Sequence, residues 1–201
     1  MAYNDFSLRQ AKKDFGLTLV ERRNLFAEIP QIEISENLKT NLADKTTLAV
    51  SIGTEKARSE FIVADVLIEV WRIFNRNIGL FSGNTLEVDQ NRGLAGRFDY
   101  FLTLSPSQLV LSAPIVAVVE AKNEDIVGGL GQCTAEMVAA QIFYEQEGEP
   151  LSKIYGTVTS GDDWKFLYLN EKSVFIDLDE YSIAQPNKII GILCAMIRQE
   201  A

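Results

Sequence analysis

Histidine is missing from all 201 residues. Its absence removes Ser-His-Asp and Cys-His triads and every histidine-ligated metal site. Cysteine is scarce: Cys133 and Cys194 stand far apart without metal-ligand spacing, which implies a reduced, cytoplasmic chain. No apolar run nears the roughly 18 residues that cross a bilayer; the best, Pro114 to Val119, is strand-length. The amino end opens Met-Ala-Tyr-Asn-Asp-Phe, with no basic stretch leading into an apolar one, so no secretory signal is expected. Positive charge is in deficit as well. Against 28 Asp and Glu there are 19 Lys and Arg, a formal charge of -9. That balance disfavours long-range attraction to nucleic acid or anionic lipid.

What is present suits an ordinary globular domain. Hydrophobic residues make up 47% and charged residues 23%, which excludes a disordered or fibrous chain, and the length suits one core. Ser7 to Phe15 and Glu36 to Leu42 read as short helices, with Pro30 interrupting the region between them. A proline-free helical pattern runs from Thr54 to about Asn75 and ends at Gly79 and Gly83. Leu86 to Val88, Gly96 to Leu104 and Ile115 to Lys122 read as strands; the last begins with consecutive apolar residues, as in a strand buried on both faces. A polar, glycine-rich loop is expected over Asn123 to Gly131, then a helix over Gln132 to Gln146. Strands at Ile154 to Thr159 and Lys165 to Leu169 flank the turn Ser160-Gly161-Asp162-Asp163. Ser173 to Leu178 adds another strand, and Asn187 to Arg198 a closing helix. The expected class is α/β, a mixed β-sheet flanked by helices in one domain.

Two placements point to chemistry. On the Thr54–Asn75 helix, Arg58, Asp65, Glu69, Arg72 and Arg76 form a polar stripe opposite Val63, Ala64, Leu67, Trp71 and Phe74. Glu60 falls on the apolar side, where a carboxylate is costly unless paired, coordinated or protonated. It can also bend out to water or meet an arginine. At the end of the third strand, Glu120 and Lys122 project to one side, and Asp99 sits in the preceding strand. If those strands pair, Asp99 and Glu120 converge on a divalent cation with Lys122 beside them. An acidic–basic pair at a strand end is the plain alternative. Arg97 shares the face of Asp99, either to contact a phosphate or to balance the acids.

The order Glu60, Asp99, Glu120-x-Lys122 and then a helix bearing Gln132 resembles the PD-(D/E)XK nuclease superfamily. Phe98 stands where the motif's name has proline. The resemblance covers roughly residues 54–170, leaving 1–53 as an N-terminal helical extension and 171–201 as a C-terminal strand and helix. It implies a restriction-endonuclease-like core: a helix, a three-stranded meander, a second helix and a further strand. By position it implies metal ligation by Asp99, Glu120 and the accessory acid Glu60, and a catalytic lysine at Lys122. It gives Gln132 a positioning role, with Glu136 one turn along the same face. The implied cofactor is Mg²⁺ or Mn²⁺ and the implied activity is nucleic-acid hydrolysis, DNA favoured, by metal-activated water. Arg92, Arg97 and Lys122 are candidates for a local basic patch. The acidic surface favours the alternative, a non-catalytic protein-interaction domain that keeps the nuclease fold; a regulatory sensor of a metal or nucleotide is a third reading. No membrane partner is expected, and a homodimer or protein partner is compatible with the size.

Overall fold

Side-chain caps fix where the first helices begin. The hydroxyls of Ser7, Ser35 and Thr54 accept from the backbone N–H groups of Gln10, Leu38 and Ala57, which starts α1 (Leu8–Phe15), α2 (Glu36–Ile52) and α3 (Glu55–Arg58). Left-handed Gly16 and Gly53 end α1 and α2. A computed structural model describes residues 2–112, 115–122, 125–148 and 152–199. The long helix expected over Thr54–Asn75 is interrupted: α3 passes through a π turn, Ser59–Val63, into α4 (Ala64–Ile73).

The strands are β1 (Thr18–Arg23), β2 (Gly79–Ser82), β3 (Thr85–Asp89), β4 (Leu94–Arg97), β5 (Tyr100–Thr103) and β6 (Ile115–Ala121), then β7 (Ile154–Thr159), β8 (Asp163–Asn170), β9 (Ser173–Asp177) and β10 (Tyr181–Ser182). Helix α5 (Ile126–Glu147) joins β6 to β7, and α6 (Pro186–Arg198) closes the described chain. Among the described residues, an eight-stranded mixed sheet runs β1-β9-β8-β7-β6-β5-β2, with β10 beside β8. The β1–β9 and β6–β7 pairs are parallel and the other neighbours antiparallel. Strands β3 and β4 form a separate antiparallel hairpin.

Each face of the sheet has its own core. Phe6, Phe15, Phe101, Val118, Met137 and Leu167 pack on the side of α1 and α5. Leu38, Val66, Val119, Trp164, Phe166 and Leu193 pack on the side of α2, α4 and α6. Val118 faces α5 and Val119 faces away from it, so Glu120, two residues beyond Val118, projects toward α5.

Several expectations need correction. The strand expected over Gly96–Leu104 breaks at Phe98-Asp99: β4 leaves the main sheet for β3, while β5 stays beside β6. Leu86–Val88 belongs to that hairpin, and the strand beyond β5 is Gly79–Ser82, expected only as a helix end. The glycine-rich loop is helical from Ile126 onward, because α5 needs bare backbone where it touches its neighbours; Asn123 and Glu124 lie outside the described residues, as does Pro114. The N-terminal extension is not only helical. It supplies β1 to the sheet and residues to both cores. On the polar stripe, Glu69 is buried, accepting from the backbone N–H (2.7 Å) and hydroxyl (2.9 Å) of Ser35, at the start of α2.

Candidate functional site

Strands β5 and β6 pair with Tyr100 opposite Val119, so one further step sets Asp99 opposite Glu120. Phe98 anchors the fork between β4 and β5, its ring packed edge-on to Tyr3 at 4.8 Å and against Phe101 at 4.0 Å. Beside that anchor, Asp99 Oδ2 accepts from the backbone N–H of Ala121 at 2.9 Å. Burial raises the pKa of Asp99, against the opposing pull of this bond, Lys122 and Arg97.

Four side chains then link β6 to α5. Lys122 Nζ lies 2.5 Å from Glu120 Oε1 and donates to Gln132 Oε1 at 2.9 Å. Gln132 Nε2 donates to Glu136 Oε1 at 3.0 Å, and the charges of Glu136 and Glu120 act on each other. Burial, then the nearby charge of Asp99, pushes Glu120 up to about 7 despite the lowering effect of Lys122. Burial and the charge of Glu120 likewise hold Glu136 well above the usual carboxylate range. Gly129 permits the approach: a Cβ there would meet Val158 Cγ1 at 2.6 Å and Lys122 Cγ at 3.0 Å.

Two cavities open along this fork. One, of about 450 Å³, is lined by Glu120, Lys122 and Gln132; the other, of about 230 Å³, by Lys56, Ser59 and Glu60. Asp99, Arg97 and Glu55 line both. The structure therefore brings Asp99, Glu120, Lys122 and Gln132 together and keeps Glu60 at the far lobe. Glu60 is half exposed and paired with Lys56 at 2.7 Å, so the expected apolar placement is corrected. The π turn explains it: its wider turn shifts residue 60 off the stripe that Val63, Val66 and Val70 continue. Among the described residues, no three Asp, Glu, His or Cys side chains are grouped so as to hold a metal ion. The expected three-acid centre of Asp99, Glu120 and Glu60 is thus reduced to two neighbouring acids.

Arg92 lines neither cavity; its guanidinium lies over the Phe15 ring at 5.2 Å. Glu55 carries no functional mark in the sequence, because an acid just after a capping threonine reads as ordinary helix-start electrostatics. Burial lowers the pKa of Lys122, but the charges of Glu120 and then Glu55 outweigh it and leave the ammonium above its ordinary value. The Ser59–Tyr100 contact, 2.8 Å between hydroxyl oxygens, is equally hidden in the sequence because it joins different elements.

The available donors are carboxylate oxygens, hard ligands that suit Mg²⁺ or Mn²⁺. The buried Glu120 Oε2 meets no hydrogen-bond partner among the described residues, which fits a ligand position. Compared with known proteins, the chain matches no family model, no curated protein and no solved structure. Among the described residues, no helix is long and apolar enough to cross a membrane.

Proposed function

We propose that the chain is a metal-dependent phosphodiester hydrolase of the PD-(D/E)XK kind, acting on nucleic acid. The carrying observation is Asp99 held opposite Glu120, with Lys122 bonded to that glutamate, at the mouth of a cavity. Further support comes from the order of elements: α4, the antiparallel set β2–β5–β6, the crossover α5 and the parallel strand β7. It is the order that the resemblance implies.

Asp99 and Glu120 would hold Mg²⁺ or Mn²⁺. Bound there, the ion would polarise a phosphate oxygen and acidify a water. Lys122 has three N–H donors, two of them engaged by Glu120 and Gln132. The third is available to orient an attacking water or to neutralise charge developing on the phosphate. Gln132 fixes the ammonium from α5, and Glu136 fixes Gln132.

Assaying single- and double-stranded DNA and RNA with Mg²⁺ or Mn²⁺ tests this reading. Cleavage is expected, with Asp99→Asn and Lys122→Ala each lowering the rate about a hundredfold or more. Glu120 is already engaged by Lys122, which favours the second reading, a non-catalytic interaction domain. That reading predicts no cleavage of any substrate and no rise in melting temperature with either metal.

A further inference from the structure

Three cations line the two lobes: Lys56, Arg97 and Lys122. Lys56 is paired with Glu60, and Lys122 with Glu120 and Gln132. Arg97 makes no ion pair or side-chain hydrogen bond among the described residues, and it lines both lobes beside Asp99. Its place depends on Gly83. That residue has φ +70, and a Cβ there would collide with Arg97 Nη2, so bare backbone leaves the guanidinium room across the turn between β2 and β3.

We infer that Arg97 anchors a phosphate in this cleft and that the ligand is a single nucleic-acid strand crossing Asp99 from one lobe to the other. The inference rests on the phosphodiester reading of the site. A guanidinium free of partners can grip a phosphate with two parallel N–H bonds. Proteins that bind a duplex commonly neutralise several phosphates, about 6–10 in strongly salt-dependent cases. Here one unengaged cation faces the cleft, Glu55 and Glu60 line its walls, and the chain carries a net charge of -9. Those charges suit one or two phosphates of a single strand.

Fluorescence anisotropy tests this with the full chain in EDTA, where no metal supports cleavage. Short labelled single-stranded DNA, single-stranded RNA and a duplex of the same sequence are titrated over a range of salt. Both single strands are expected to bind comparably and more tightly than the duplex. Their log–log salt slope should be no steeper than about -1.4, the value for two contacts at about -0.7 each. Arg97→Gln should weaken single-strand binding about tenfold or more and flatten the slope by about 0.7, with an unchanged melting temperature. Tighter duplex binding, no binding of any strand, or an Arg97→Gln variant with unaltered affinity and slope overturns the inference. Arg97-dependent binding without metal-dependent cleavage would sink the hydrolase reading alone; cleavage indifferent to Arg97→Gln would sink the anchor alone.

Discussion

Carboxyl groups buried near one another resist ionising together. Glu120 illustrates the consequence, with its pKa raised from an ordinary 4.5 to about 7 by burial and then by Asp99. The folded protein therefore keeps a proton that the unfolded chain has released. Stability from this group is fully present below about pH 4.5 and is lost as pH rises through about 7. Glu136→Gln removes a second buried acid whose own pKa is raised by burial and by the charge of Glu120. In metal-free buffer, the fall in stability between about pH 5 and pH 8 should shrink, because one of the two raised groups is gone. Urea denaturation at several pH values measures it, and parallel profiles for wild type and variant would contradict the account. Much of this site was legible as residues: E-x-K at the end of an apolar strand, an upstream aspartate and a downstream glutamine. The missing part was tertiary. Neither Glu55 at a helix start nor Arg97 in a strand carries a local mark of facing a cleft.

At the level of elements, α5 shows how packing overrides a local signal. Its Gly128-Gly-Leu-Gly131 run reads as a loop, yet it is helical where α1 crosses it. A Cβ on Gly131 would collide with the carbonyl oxygen of Phe6 and with backbone atoms of Ser7 and Leu8. Gly131→Ala should gain about 1 kcal/mol of helix propensity and lose more to the displaced backbone. A net destabilisation of about 2 kcal/mol is expected in chemical denaturation; a more stable variant would refute the close approach. Strands with their own pattern, β6, β7 and β8, were readable, as were α1 and α6. Two others were not. Strand β1 is a polar-ended edge segment paired with distant β9, and β2 is only four residues long, soon after a helix.

Across the whole molecule, the N-terminal third binds the two cores into one unit. Tyr3, Phe6 and Phe15 pack on one side of the sheet, Phe26, Ile34 and Leu38 on the other. The segment from Asn24 to Ile34 has no helix or strand of its own, so its backbone needs partners from elsewhere. Lys188, at the start of α6, supplies them: Nζ donates to the carbonyls of Phe26 and Ala27 at 2.8 Å and Ile29 at 2.5 Å. Burial lowers its pKa, and the three carbonyls offset part of that cost. Lys188→Met retains the apolar stem and removes all three bonds. A loss of about 2–4 kcal/mol is expected, with faster amide exchange in the segment and at Ile32, whose N–H bonds the Asn187 carbonyl. The linked side chains of Glu120, Lys122, Gln132 and Glu136 lie on the α5 side, whereas Lys188 belongs to the α6 side. Cleavage or nucleic-acid binding per folded molecule should therefore match wild type below the melting transition. A variant that melts normally would show that apolar packing alone holds the segment. One that stays folded but loses ligand binding would show that the two faces of the sheet are coupled.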